Sequence, residues 1–272
     1  MYAEAIGALA CLFCGGELRP ETPQPEIIDG ALVCAACGGR VAVRRGIADF
    51  LGAPLPATPA QRVNEWRSAA WAYERMWRPF SLTLLSGERF TYRRELPLVT
   101  GLALAERGGI ALDIACSNGL YARALTRSMQ AAGAGGHAIG IDHSLAMLEE
   151  AVLRARAAGL PISYIRARAQ QLPIRPGAAS AVTIGGSLNE IGDRALALSE
   201  ASRALKRGGR FVAMSLLRAR SWPGQALQRA LAPGGVVFLD AAELDAELAL
   251  AGMVPLSRSI HRIVLFTAAE KS

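Results

Sequence analysis

Four of the five cysteines in this 272-residue chain form two pairs, Cys11-Leu-Phe-Cys14 and Cys34-Ala-Ala-Cys37, with nineteen residues between the pairs. Each C-x-x-C makes a tight knuckle, and two knuckles present four thiolates to one tetrahedral Zn²⁺. Glycines follow both pairs (Gly15, Gly16; Gly38, Gly39), where turning backbone calls for positive φ. Zinc held by Cys11, Cys14, Cys34 and Cys37 would replace the apolar core that so short a segment cannot build. Paired disulfides or unligated buried thiols are the competing readings. They carry less weight because the leading segment MYAEAIGALAC has no basic run and contains Glu4, which predicts a cytoplasmic chain without a secretory signal.

Two acids close successive apolar runs. Gly109-Ile-Ala-Leu-Asp113-Ile114 reads as a buried strand that passes into the small-residue turn Ala115-Cys116-Ser117-Asn118-Gly119, and Ala138-Ile-Gly-Ile-Asp142 reads as the next strand. A strand that stops in small residues and opens a helix lets backbone approach a ligand, and an acid ending the following strand sits where doubly wound folds bind ribose hydroxyls. Ser144 stands where it would cap the next helix. His143 and Cys116 read as space-filling neighbours of this turn.

These residues need a parallel α/β frame. Residues 109–268 supply its pattern, short apolar runs alternating with helix-length segments. Before it, Pro-rich residues 53–59 close the cysteine module, and Val63, Trp66, Ala70, Tyr73, Trp77 and Phe80 recur every three or four positions along one helix face. That stripe either packs on the main domain or forms a lid whose aromatics line a pocket. A further helix is expected over Gly87 to Glu106. The predicted organisation is a zinc ribbon at 1–52, a linker and helical bridge at 53–108, and an α/β domain at 109–272.

Composition agrees with a globular protein, 51% apolar and 19% charged, and no uncharged apolar run reaches the roughly 18 residues of a membrane span. The net charge of +7 is spread thinly. Residues 1–110 hold 12 arginines against 11 acids, which argues against tracking a phosphate backbone.

LDIACSNG resembles the first motif of class I S-adenosylmethionine-dependent methyltransferases, and GIDHSLAMLEEA resembles their second. The QQLPI segment, EASRALKRGGRFV and AELDAELALAGM follow in the family's order, so the resemblance covers about 160 residues. It is nearest to the ubiquinone and menaquinone C-methyltransferases. The segment AYERMWRPFSLTLLSGERFTYRRE resembles chloroplast and cyanobacterial relatives that join a zinc ribbon to this domain. CGGRVAVRRGIADFL is in part similar to the ribbon of the small protein that activates several tRNA and translation-factor methyltransferases.

The resemblance implies a doubly wound, Rossmann-like seven-stranded sheet. It places Asp113 near the amino group of S-adenosylmethionine, Ala115, Cys116, Ser117 and Gly119 in the turn under the methionine moiety, and Asp142 with His143 at the ribose. Arg168 and Ala169 fall at the adenine, and Gly185 at the end of the fourth strand. Asn189, Glu190 and Tyr73 are the candidates at the catalytic mouth. The chain departs from the family at Ser117, a glycine in relatives, at Arg168 and Ser180, aspartates in relatives, and at Asn189, often a histidine. A guanidinium offers no acceptor to the adenine amino group. The predicted function is methyl transfer to a small apolar or aromatic metabolite, and the ribbon is the surface for any protein partner. The alternatives are an RNA methyltransferase and a scaffold that has lost the cofactor.

Overall fold

The computed structural model describes residues 1–53 and 78–272. Five strands lie parallel: β5 (Gly109–Ile114), β6 (Gly136–Asp142), β7 (Ile162–Arg166), β8 (Ala179–Gly185) and β9 (Leu205–Leu216). The hairpin β10 (Met253–His261) and β11 (Val264–Lys271) completes the sheet, with β11 antiparallel to β9. Helices α4 (Leu120–Ala131), α5 (Leu145–Ala157) and α6 (Arg194–Ala204) make the crossovers, and α7 (Trp222–Leu231) and α8 (Ala241–Leu250) precede the hairpin. The strand order β7-β6-β5-β8-β9-β11-β10 reverses direction between β5 and β8, the place where open α/β sheets bind ligands.

The strands form because each is apolar toward both covered faces. β7 is buried at all five positions and β6 at every position after Gly136. One face packs Leu125, Leu148 and Ala151 of α4 and α5. The other packs Leu198 and Ala201 of α6 with Leu244 and Leu248 of α8.

The expected seven strands are present, but among the described residues the sheet has eleven. The cysteine module contributes α1 (Ala3–Ile6), β1 (Leu18–Pro20), β2 (Gly30–Cys34), β3 (Arg40–Arg44) and β4 (Ile47–Asp49). β4 pairs parallel with β7, in register from Ile47↔Tyr164 to Asp49↔Arg166. Leu9, Leu18, Ile27 and Leu32 of the ribbon belong to the same apolar cluster as Leu112 and Ile141 of the central strands. The ribbon therefore continues the sheet instead of standing beside it.

Of the predicted aromatic stripe, Val63, Trp66, Ala70, Tyr73 and Trp77 lie outside the described residues. Phe80, on α2 (Arg78–Ser86), is 64% exposed, so the stripe does not reach the core at that end; the helix buries Arg78 and Leu82 instead. The second helix is shorter than expected, α3 (Tyr92–Leu102), because residues 87–91 turn after Gly87 at φ 70°. No helix among the described residues is long and apolar enough to cross a membrane.

Candidate functional site

The turn after β5 is built on alternate left-handed residues: Ala115 at φ 52°, Ser117 at 52° and Gly119 at 75°. Two of these carry side chains, which costs about 1–2 kcal/mol each. At Gly119 only glycine fits, since a Cβ would stand 2.6 Å from the Tyr164 hydroxyl. Ser117 holds its strained shape through both ends: its N–H donates to Asp142 Oδ2 at 2.8 Å, and its hydroxyl faces Met147 Sδ at 3.3 Å. The serine that replaces a glycine thus turns its side chain onto α5.

Asp142 ends β6 and is 7% exposed. Its second oxygen accepts the Ser144 N–H at 2.9 Å, and Ser144 caps α5 by accepting from Met147 N. Each carboxylate oxygen keeps a lone pair beyond these bonds. His143 lies alongside, Nδ1 3.6 Å from Asp142 Oδ1. Asp113 is buried; its oxygens accept from Ala122 N at 2.9 Å and Thr183 Oγ1 at 3.2 Å. Burial outweighs those bonds and lifts its carboxyl to about 7.

A cleft opens over this turn, lined by Arg78, Asp113, Ala115, Cys116, Ser117, Asn118, Tyr121 and Gly185. Asn118 is 1% exposed, yet neither its amide nitrogen nor its amide oxygen has a partner among the described residues. A buried carboxamide without partners costs about 1–3 kcal/mol, which a polar ligand in the cleft would recover. The cleft wall is a second buried group. Arg78 donates to Glu95 Oε1 at 2.6 Å, to the Tyr121 hydroxyl at 3.0 Å and to Gly185 O at 3.1 Å, and Tyr121 donates to Glu95 Oε1. These bonds clamp α2 and α3 onto α4 and the end of β8. Asn118, Thr183, Arg78, Glu95 and Tyr121 were not singled out from the sequence. Asn118 stood within the predicted turn, and Arg78 and Glu95 stand within the segment AYERMWRPFSLTLLSGERFTYRRE, but only the folded chain pairs Arg78 with Glu95.

The remaining predicted residues fall at different depths. Cys116 is buried with its thiol toward Ser117 O, Gly185 lies in the cleft, and Ala169 is half-buried. Arg168 is exposed and does not line the cleft. Ser180, standing for a family aspartate, donates to Gly108 O and Ile110 O at 2.9 and 3.0 Å and so holds the entrance to β5. Asn189 is 1% exposed, and both its N–H groups are taken by Leu216 O and Val237 O, while its oxygen accepts from Leu216 N. That leaves it no N–H for a substrate. Glu190 is half-buried, and burial, then the nearby Asp142 charge, raise its carboxyl above the usual range. Tyr73 lies outside the described residues.

The four thiols converge. Cys11 and Cys37 Sγ are 3.8 Å apart, Cys14 and Cys34 Sγ are 3.5 Å apart, and all four sulfurs lie within 4.8 Å of one another. A disulfide would bring two sulfurs to about 2.05 Å. Zn–S bonds of about 2.3 Å in a tetrahedron set the sulfurs about 3.8 Å apart, so the donor set fits zinc. The knuckles are equivalent: Gly15 N donates to Cys11 O and Gly38 N to Cys34 O. Gly16 must lack a side chain, because its Cβ would meet Cys34 Sγ at 2.9 Å.

Residues 112–213 match the family model of a methyltransferase domain. The architecture is a methyltransferase fold. Over 109 residues the chain is 35% identical to the demethylmenaquinone methyltransferase of Staphylococcus aureus, a match covering 40% of this chain and 43% of that one. The chain thus spans less than half the length of the curated relatives it matches. Among solved structures, phosphoethanolamine N-methyltransferase 2 of Haemonchus contortus, in complex with phosphomonomethylethanolamine and S-adenosylhomocysteine, superposes with a TM-score of 0.61 at 15% identity, covering 78% of this chain and 59% of that one. Geranyl diphosphate C-methyltransferase of Streptomyces coelicolor superposes at 0.57 and 16% identity, covering 66% and 76%. At such identities the likeness is one of fold.

Proposed function

We propose that the chain is an S-adenosylmethionine-dependent methyltransferase acting on a small metabolite with an apolar or aromatic body. The observation that carries this reading is the buried, partnerless carboxamide of Asn118 in a cleft at the switch point of a methyltransferase fold, above a turn tied to Asp142. Bound S-adenosylmethionine supplies a methyl group already activated by its sulfonium, so the protein's part is alignment and exclusion of water.

Asp142 holds the ribose hydroxyls with the lone pairs that Ser117 and Ser144 leave open. Asn118 offers two donors and an acceptor to the amino-acid end of the cofactor, and Asp113 fixes the start of α4 beneath it. Arg168, exposed and without an acceptor, leaves the adenine amino group to backbone carbonyls. Glu190, half-buried beside Asp142, is the residue to take a proton from the substrate, because burial raises its carboxyl above the ordinary carboxylate range and makes it a stronger base than an exposed acid. Asn189 serves instead to hold the strand ends under the mouth. The curated demethylmenaquinone methyltransferases and the geranyl diphosphate C-methyltransferase among the structural neighbours support a small acceptor with an apolar body.

Isothermal titration of zinc-loaded protein with S-adenosylmethionine and S-adenosylhomocysteine tests this reading. Binding of both, weakened in Asp142→Asn and Asn118→Leu, is expected. Absence of heat with folded protein would overturn it in favour of a scaffold.

A further inference from the structure

The ribbon and the cofactor loop meet at one side chain. Arg166, the last residue of β7, is 8% exposed and reaches two elements with one guanidinium. Its Nη1 donates to Asp49 Oδ2 at 3.0 Å and its Nη2 to Ala53 O at 3.4 Å, both at the exit of the ribbon. Its Nε donates to His143 O at 3.1 Å, in the loop between Asp142 and the Ser144 cap. Backbone bonds run along the same seam: Phe50 N donates to Arg166 O, and Ala167 N to Asp142 O.

Asp49 is itself set by the ribbon. It ends β4, directly opposite Arg166, and its other oxygen accepts the N–H groups of Leu51 and Gly52. β4 in turn hangs on β3, which hangs on β2, the strand that ends in Cys34.

We infer that the zinc ribbon is an internal strut for the cofactor loop, with Arg166 as the positioning residue that transmits it. The inference rests on the reading of Asp142 as the ribose-binding carboxylate. Asp142 can hold a ribose only while residues 142–144 keep its carboxylate against the Ser117 N–H, in the turn that lines the cleft. The Ser117 N–H holds that loop from the turn after β5, the Ser144 N–H braces it from within, and β7 holds it through the Ala167 N–H to Asp142 O and through Arg166, the side chain that also reaches the ribbon. An arginine fork is suited to this task, because its planar donors serve a carboxylate and a carbonyl at once in a fixed geometry. The four sulfurs without a metal do not hold the two knuckles together, so zinc occupancy sets the order of β2 to β4 and, through Asp49, that of the loop.

The test compares the full chain with Arg166→Gln and Asp49→Asn, each verified to carry one equivalent of zinc. Two readouts are used: affinity for S-adenosylhomocysteine by titration calorimetry, and amide hydrogen exchange of residues 142–148 without ligand. Either substitution should weaken binding about tenfold, the loss of one charge-assisted bond to the loop or its anchor, and speed exchange in 142–148 while the central strand β5 stays protected. The double variant should be no weaker than Arg166→Gln alone, since both act through one link. Removing zinc with a chelator should speed exchange in the same window. Unchanged exchange in zinc-loaded Arg166→Gln, or in the chelated protein, would overturn the strut. If the wild type fails to bind S-adenosylhomocysteine, the functional reading falls while the exchange measurements still decide the strut. Should Arg166→Gln fail to fold, Asp49→Asn, at a more exposed position, gives the same readouts.

Discussion

At the scale of single residues, the site is shaped by conformations and environments that residue types alone do not announce. Gly119 combines φ 75° with a Cβ position 2.6 Å from the Tyr164 hydroxyl, whereas Ser117 tolerates φ 52° because its side chain has somewhere to go. Gly119→Ala should therefore lose about 3 kcal/mol in urea unfolding, from left-handed strain together with overpacking. His137, beside the ribbon, is 4% exposed, and burial pushes its pKa down to about 4 against Ser163, its hydrogen-bond partner. A histidine with a lowered folded pKa is protonated first in the unfolded chain. Its contribution is thus fully present above about pH 6.5 and shrinks as pH falls toward 4, by up to about 3 kcal/mol. Urea melts at stepped pH should show that loss, and it should be largely absent in His137→Gln. For Glu190, raised by burial, the rate of methyl transfer should climb with pH through an inflection above the ordinary carboxylate range; Glu190→Gln should remove that limb and lower kcat about a hundredfold.

At the scale of elements, several buried polar residues act by pinning one element to the next. The Arg78–Glu95 pair is buried on both sides, 7% and 0% exposed, and joins α2 to α3 over the end of β8. Arg78→Met leaves Glu95 charged in the interior, so a loss of about 3–5 kcal/mol is expected, and Arg78→Met with Glu95→Leu should recover much of it. Thermal unfolding of the two variants and their parents decides the point. Asn189, outside the cleft lining, also pins elements together, bridging the end of β9 to Val237 with three bonds to backbone. The sequence named Asn189 as a candidate at the catalytic mouth, and the structure sets it in the turn Ser187–Asn189 after β8. Its commitment to backbone follows from Leu216 and Val237 arriving there, which no local pattern states.

At the scale of the whole molecule, the ribbon closes a sheet edge. β7 is buried at every position and would present its free backbone groups to solvent without β4. A chain shortened by residues 1–50 should therefore self-associate, visible as a concentration-dependent shift in sedimentation velocity, whereas the full chain should not. Unpaired strand edges of apolar sequence are templates for pairing between copies. The ribbon also contributes Leu9, Leu18 and Leu32 to the core shared with the central strands, so a metal held by its four cysteines would support more than its own loops.

The cysteine spacing and the succession of buried strands were legible because both are local: knuckle geometry repeats in four residues, and a strand buried on both faces must be apolar throughout. Asp113, Asp142 and the turn between them could be placed because each closes an apolar run. Hidden from the sequence were the facts that depend on distant segments arriving together. Ile47-Ala48-Asp49 reads as three residues of a small ribbon, and only the tertiary structure lays it against Tyr164-Ile165-Arg166. Only there does Arg166 acquire Asp49 and His143 at once, and only there does Asn118 lose its partners. Sequence determined which elements exist and where chemistry could sit. Packing, which decides who is buried beside whom, determined which of those residues face a ligand and which hold the frame.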